Sequence, residues 1–150
     1  EVRNAGTAPA GLLLAYGTFH AELPSIDSAL RERIRGRHSL AQFRPATVRR
    51  MNHNYAGAAD MMREPYAFPG GHDLTGMPAT LILDADRDSL RASGGAFARD
   101  LATAGALVEQ HVMRDARHGF LNRPLTDHFD TGIDLMRAWI EKRTERTSAE

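Results

Sequence analysis

The chain has 150 residues, enough for one domain with a hydrophobic core, and its 19 basic residues balance its 19 acidic residues. This balance argues against a surface built to bind nucleic acid, and the lack of cysteine excludes disulfide bonds, thiolate metal sites and a cysteine nucleophile. The sequence shows neither a signal-peptide pattern nor an apolar run of about 18 residues, so we expect no membrane span and a cytoplasmic location.

Three short apolar runs predict strands. The first, residues 10–17 (AGLLLAYG), is closed by Gly17, and the second, residues 78–86 (PATLILDAD), begins with Pro78. The third, residues 106–113 (ALVEQHVM), alternates more between apolar and polar positions. Nearly continuous apolar runs of this length are typical of strands that are buried on both faces of a parallel sheet.

Helices are predicted between and after these runs. One is capped by Ser25 and ends near Gly36, a second begins at Pro45 and ends near Gly57, and a third ends at Gly105. The apolar positions of these helices and of a C-terminal helix follow helical spacing. They are Ile26, Leu30 and Ile34; Val48, Met51 and Tyr55; Phe97, Leu101 and Ala104; and Phe129, Ile133, Met136 and Ile140.

Strands that alternate with helices predict an α/β fold with a parallel sheet. Three strands make a thin sheet, so we expect one end of a larger doubly wound domain, and Glu1 in place of methionine favours excision from a longer protein. Seven arginines fall between Arg31 and Arg50; we interpret them as a solvated helical face rather than a site for an anionic partner. The polar residues 144–150 are expected to fray.

Charged residues follow the second and third predicted strands, at the edge where α/β folds place functional groups. Asp84, Asp86 and Asp88 lie at the end of the second strand, and His118 follows the third. If these strands are neighbours, a carboxylate meets the imidazole, which is the orienting half of a nucleophile–base–acid triad. The residues alone leave other roles open: Asp88 as a helix cap, Asp84 and Asp86 as solvated loop residues, and His118 as a surface histidine.

Residues 76–120 resemble the C-terminal part of the α/β-hydrolase superfamily, and more narrowly its hormone-sensitive-lipase-like esterase and acetyl-hydrolase branch. The segments that carry the resemblance are MPAT (77–80), DSLR (88–91) with Gly94, and HGF (118–120). Further upstream, PAGLLLAYG, NHNYAG and EPYAFPGGHDLTG resemble other parts of the same branch, so that roughly residues 9–140 are covered. The order of these segments, and their spacing, makes the combination specific.

The resemblance implies a serine carboxylic-ester hydrolase that acts on a small-molecule ester and needs no cofactor. Asp88 aligns with the acid of the triad and His118 with the general base. Asp86 falls where relatives often carry an acid without a catalytic role, and Asp84 is expected to have a loop or structural role. Ser89 replaces the usual proline after the acid, and it is not expected to reach His118 as a nucleophile.

The same resemblance makes residues 1–150 the C-terminal part of a single hydrolase domain, in which residues 20–75 are cap-like and connector helices. The family nucleophile, a serine in a G-x-S-x-G turn, precedes the acid and the base. None of the six serines has glycine on both sides at this spacing; they are Ser25, Ser28, Ser39, Ser89, Ser93 and Ser148. Glu1–Gly6 resembles the tail of the nucleophile helix, which implies that the serine lies on the order of ten to fifteen residues before Glu1.

No metal site is predicted either, since HExxH and similar spacings are absent from the sequence. The alternative function is a catalytically inactive, hydrolase-derived binding domain, and a G-x-S-x-G upstream of Glu1 would separate the two. Without upstream strands, the apolar residues 10–17 would form an exposed sheet edge. We therefore expect the chain to pair with an upstream part of the same protein or with a second copy.

Overall fold

The computed structural model of the protein describes residues 9–36 and 42–147. Strands alternate with helices along this part of the chain. The three strands are β1 (Leu12–Ala15), β2 (Thr80–Ala85) and β3 (Val108–Met113). The α-helices are α1 (Ser28–Arg33), α2 (Pro45–Ala56), α3 (Arg91–Thr103) and α4 (Asp127–Thr147), and 3₁₀ turns occupy Met61–Arg63 and Phe120–Asn122.

The strands form one parallel sheet in the order β1, β2, β3, which confirms the predicted α/β class. Thr80, the first residue of β2, is in register with Leu12 on one side and Val108 on the other. Because the strands are parallel, their carboxyl ends reach the same edge of the sheet. β1 is shorter than the predicted run 10–17, since the φ of 38° at Tyr16 is incompatible with an extended strand.

β2 carries the core on both of its faces, because all six of its residues are buried. Leu81 and Leu83 belong to a cluster that also contains Trp139 of α4. Ile82 belongs to a second cluster, with Phe97 of α3. Side chains alternate between the two faces of a strand, so a strand covered by helices on both sides has a continuous apolar sequence.

The first two helices differ in how well the sequence predicts their ends. α1 begins later than predicted, because Asp27 rather than Ser25 is its N-cap: the carboxylate accepts a 2.7 Å hydrogen bond from the backbone N–H of Leu30. A carboxylate in this place also interacts favourably with the positive end of the helix dipole. α2 begins at Pro45 and ends before Gly57, as predicted, and Gly57 adopts a left-handed φ of 79°.

The buried face of α2 is not the predicted apolar stripe. Val48 is buried, but Met51 and Tyr55 are 46% and 75% exposed. Asn52 is buried in their place, and its amide donates to two backbone carbonyls of the loop after β1, at 3.0 Å each. A polar side chain therefore attaches α2 to the loop after β1, which a pattern of apolar residues cannot predict.

The helices that cover β2 follow the sequence more closely. α3 buries Phe97 and Leu101, as predicted, whereas in α4 Trp139 is buried and Ile140 is 48% exposed. α4 continues to Thr147, into the polar stretch that was expected to fray. Other residues on which sequence predictions fell lie outside the described part of the chain: Glu1–Gly6, Arg37, Ser39 and 148–150.

Candidate functional site

The loops that follow β2 and β3 meet at the carboxyl edge of the sheet. Two backbone hydrogen bonds join them: the N–H of Asp86 donates to the carbonyl of Met113 at 3.1 Å, and the N–H of Arg87 donates to that of Ala116 at 2.9 Å. The two loops are therefore held together by main-chain groups, before any side chain contributes.

Asp88 and His118 form a direct hydrogen bond across these loops. Oδ2 of Asp88 lies 2.7 Å from Nδ1 of His118, and Oδ1 accepts a 3.0 Å hydrogen bond from the backbone N–H of Leu90. The Asp88 side chain is 1% exposed, whereas that of His118 is 36% exposed. Within the described residues His118 makes no second hydrogen bond, which leaves Nε2 open to a further partner. A buried carboxylate on Nδ1 can orient the ring and stabilise it when Nε2 accepts a proton.

Aromatic side chains flank the His118 ring. The ring centroids of Tyr16 and Phe43 lie 4.9 and 4.8 Å from that of the imidazole, both in edge-on arrangements that aromatic rings favour. Sequence analysis did not single out either residue. Tyr16 directly follows a strand, and a position at the carboxyl end of a strand is the signal that also marks Asp88 and His118 as candidates. Phe43 has no comparable local signal.

Asp86 does not contact His118 and belongs to an ion-pair network instead. Arg33 donates from Nε to Oδ2 at 2.8 Å, Arg91 donates to Oδ1 at 3.0 Å, and the backbone N–H of Asp115 donates to Oδ2 at 3.0 Å. Burial alone would raise the pKa of Asp86, but these hydrogen bonds and the two positive charges hold it below its usual value. Its contacts are those of a structural carboxylate.

Arg33 connects α1 with both loops, since its guanidinium also donates to Oδ1 of Asp115 at 2.6 Å. Arg87 pairs with the same carboxylate, and the hydrogen bonds from Arg33 and Arg87 lower the pKa of Asp115. The interpretation of the stretch between Arg31 and Arg50 as a solvated face is therefore wrong for Arg33. Sequence alone misses this contact because Asp86 and Asp115 reach α1 only through the tertiary fold.

Asp84 lies within β2 rather than in a loop, and it is fully buried. Gln110 donates to Oδ2 at 2.7 Å, while Oδ1 has no hydrogen-bond partner among the described residues. Burial raises the pKa of Asp84 to about 6; the hydrogen bond from Gln110 acts in the opposite direction, and the charge of Asp88 adds to the rise. Gly94 of α3 provides the space, because a Cβ there would lie 2.2 Å from Oδ1.

Ser89 has its hydroxyl occupied elsewhere. The hydroxyl donates to the backbone carbonyl of Phe43 at 2.9 Å and accepts from the N–H of the same residue at 3.1 Å. Ser89 is 1% exposed, and none of the serines in residues 9–36 and 42–147 is hydrogen-bonded to His118. The Ser89 hydroxyl is therefore bonded to the backbone of Phe43 and not to His118.

A second serine–histidine–aspartate group joins α3 to the loop after β1. His20 Nδ1 lies 2.9 Å from Ser93 Oγ, and His20 Nε2 lies 3.5 Å from Asp100 Oδ2. Ser93 is fully buried, and its Oγ also accepts from the N–H of Phe19 at 2.8 Å. Burial lowers the pKa of His20, and Asp100 partly offsets this. Sequence spacing does not reveal the group, because its serine and histidine lie 73 positions apart.

The described residues form neither a metal-binding cluster nor a membrane-spanning helix. The described residues contain no group of three or more histidine and acidic side chains that is arranged to hold a metal ion. None of the helices there combines the length and the apolar character needed to cross a bilayer.

Known proteins share this architecture. Residues 1–122 match the family described as the alpha/beta hydrolase fold. A solved hormone-sensitive lipase from a metagenome library is similar at 27% identity and a TM-score of 0.77, over 94% of this chain and 47% of that one. EstE7, a homologue of hormone-sensitive lipase that also comes from a metagenome library, is similar at 25% identity and a TM-score of 0.76, over 94% of this chain and 47% of that one. The esterase E25 shares the fold at 19% identity and a TM-score of 0.70, over 92% and 41%.

The chain thus spans less than half the length of these solved structures, 41% to 47%. No protein with a curated description matches it. The match over residues 1–122 and the parallel sheet confirm the resemblance to the C-terminal part of hormone-sensitive-lipase-like hydrolases. The chain belongs to the α/β-hydrolase fold family.

Proposed function

We propose that the chain supplies the acid and the base of a serine carboxylic-ester hydrolase, with Asp88 orienting His118 and His118 acting as general base. The observation that carries the proposal is the 2.7 Å hydrogen bond between a buried carboxylate and a partly exposed imidazole. Membership of the α/β-hydrolase family and the similarity to solved lipases and esterases support it. The substrate of such an enzyme is a small-molecule ester.

In this function a serine hydroxyl attacks the ester carbonyl while Nε2 of His118 takes its proton. The imidazole then carries a positive charge, which Asp88 stabilises through Nδ1. His118 returns the proton to the departing alcohol, and the acyl group remains on the serine. The same imidazole then takes a proton from water, whose oxygen attacks the acyl carbonyl. The bond to the serine oxygen breaks, the carboxylic acid is released, and the proton on Nε2 returns to the serine.

The serine and the N–H groups that stabilise the oxyanion are proposed to come from a segment before Glu1. The solved relatives are about twice as long as this chain, since it covers 47% of the first of them. Within the described sheet β1 pairs with β2 alone, so its other edge can accept a strand of that segment or of a second copy. Residues 20–75, between β1 and β2, are proposed as the cap and connector.

A fluorophosphonate probe tests the proposal, because it labels serines that a neighbouring base activates. The protein extended by the reading frame upstream of Glu1 is compared with the chain alone. We expect a G-x-S-x-G serine to be labelled in the extended protein, no serine to be labelled in the chain alone, and His118→Ala to lose the label. An extended protein without a labelled serine would favour the hydrolase-derived binding domain. Labelling of the chain at one of its own serines would show that the nucleophile is assigned wrongly.

A further inference from the structure

Ser89, the residue directly after Asp88, fastens a distant segment to the loop that carries the acid. Its hydroxyl forms two hydrogen bonds with the backbone of Phe43, one as donor at 2.9 Å and one as acceptor at 3.1 Å. Its backbone N–H donates to Oε1 of Gln42 at 2.8 Å, and Nε2 of Gln42 donates to the carbonyl of Arg87 at 3.0 Å. These four hydrogen bonds join residues 42–43 to residues 87–89 of the loop that carries the acid.

The burial of Ser89 makes these bonds important for the position of the segment. Ser89 is 1% exposed, and its hydroxyl both donates a hydrogen bond to Phe43 and accepts one from it. Removing the hydroxyl would leave the amide and the carbonyl of Phe43 without these partners, and unpaired backbone groups are unfavourable away from water. The segment would then have to shift to find other partners.

The held segment carries one of the two rings that flank His118. The ring of Phe43 lies 4.8 Å from the imidazole, edge-on. Tyr16, which supplies the other ring, is attached to the sheet itself, because its backbone N–H donates to the carbonyl of Leu83 at 2.7 Å. Phe43 has no strand beside it, and the bonds from Ser89 fix its backbone.

We propose that Ser89 is a positioning residue for His118. By fixing the backbone of Phe43, it places an aromatic ring against the imidazole and restricts the imidazole to the orientation in which Nδ1 meets Asp88. Ser89 thereby couples the segment that leads into α2 to the loop of the acid. The inference rests on the proposed role of His118, but its test does not require catalysis.

The rate at which diethyl pyrocarbonate modifies His118 reports on access to its ring, and peptide mass spectrometry of the whole chain measures that rate site by site. The exposed His53 and His72 serve as internal references. Ser89→Ala removes both hydrogen bonds to the backbone of Phe43 and is expected to raise the rate at His118 by at least about fivefold, the factor that the net loss of a single hydrogen bond allows. Ser89→Thr keeps the hydroxyl and should retain the original rate.

Ser93→Ala is the matched control, because it also removes a buried serine hydroxyl that accepts from a backbone N–H, but within the His20 group. It should leave the rate at His118 unchanged. Phe43→Leu keeps the backbone hydrogen bonds and removes the ring, so it should raise the rate as well. If circular dichroism shows that Ser89→Ala does not fold, Phe43→Leu alone tests whether the ring restricts His118.

An unchanged rate at His118 in folded Ser89→Ala or in Phe43→Leu would overturn the proposal. A rise of the same size in Ser93→Ala would also overturn it, because the effect would then reflect general loosening. So would a rate in Ser89→Thr as high as in Ser89→Ala. A protein without esterase activity would contradict the proposed function only, since the reactivity of His118 is measured without any substrate.

Discussion

Two histidines, His118 and His20, are each paired with an aspartate. In the first pair the aspartate is the more buried partner, and in the second pair the histidine is. In the first pair the carboxylate of Asp88 is 1% exposed and the histidine side chain 36%. In the second the histidine side chain is 16% exposed and the carboxylate of Asp100 is 36% exposed, at the longer distance of 3.5 Å. Of the two pairs, only the first leaves an imidazole nitrogen, Nε2 of His118, open while a buried carboxylate holds the other ring nitrogen.

The serine of the second group is also unavailable to a substrate. Ser93 lies within hydrogen-bond distance of His20, yet it is fully buried, and its oxygen is already engaged by the N–H of Phe19. A substrate cannot reach such a hydroxyl, so the His20 group holds α3 to the loop after β1. A serine, a histidine and an aspartate in contact are therefore not enough for a triad, because the exposure of each member decides its use.

Removing each histidine in the extended protein should separate the two pairs most strongly. His118→Ala is expected to lower kcat for a p-nitrophenyl ester by a factor on the order of 10⁶, because the nucleophile loses its base. His20→Ala should leave kcat nearly unchanged and lower Tm instead. Similar losses of kcat in both variants, at temperatures well below either Tm, would break the comparison.

The carboxylates should differ in the same direction. Asp88→Asn is expected to lower kcat by a factor on the order of 10⁴, since an amide cannot hold the productive tautomer of His118. Asp100→Asn and Asp86→Asn should have small effects, because neither carboxylate contacts His118. Steady-state kinetics on the three variants decide this, and a loss in Asp86→Asn as large as that in Asp88→Asn would mean that the acid is assigned to the wrong residue.

Asp84 contacts neither histidine, so its substitution should change the stability of the protein rather than the rate of the reaction. Its pKa of about 6 in the folded protein lies above the ordinary value of 3.8. Its contribution to the free energy of unfolding is therefore fully present below the ordinary value and is lost as the pH rises through about 6. Asp84→Asn cannot ionise. Relative to this variant, the unmodified protein should lose about 3 kcal/mol of stability between pH values of about 3 and 7.

Urea unfolding of both proteins across this pH range measures the effect. Asp86→Asn is the control of opposite sign, because the pKa of Asp86 is lowered in the folded state. The stabilisation due to Asp86 is present above its ordinary pKa and is lost as the pH falls through the lowered value. A parallel pH dependence of the unmodified protein and Asp84→Asn would contradict the raised pKa.

The smallest expected effects lie in α3, where Ser93 contacts His20 and Gly94 lies against the carboxylate of Asp84. A Cβ on Gly94 would lie 2.2 Å from Oδ1 of Asp84, so Gly94→Ala should destabilise the protein by about 1–3 kcal/mol. A Cβ on Gly95 would meet nothing closer than 3.7 Å, so Gly95→Ala should stabilise the helix by about 0.5–1 kcal/mol. Chemical denaturation compares them, and shifts of the same sign would contradict this account of the packing.

The sequence by itself determined the sheet and two ends of a helix. The continuous apolar run at residues 78–86 predicted β2 because a strand covered on both faces needs apolar residues at every position. Pro45 and Gly57 bounded α2 because their backbone preferences are intrinsic to the residue. The proximity of the aspartate loop to His118 followed from the shared edge of neighbouring parallel strands, whereas the catalytic roles of Asp88 and His118 stay a prediction.

Only the tertiary structure decided what each polar group contacts. Asp84, Asp86 and Asp88 are alike in sequence, but one is buried beside Gln110, one binds arginines of α1 and α3, and one meets His118. The face that α2 buries and the ring that Phe43 places against His118 depend on elements far apart in the chain. Such contacts arise when whole elements pack together, and no local preference of the backbone encodes them.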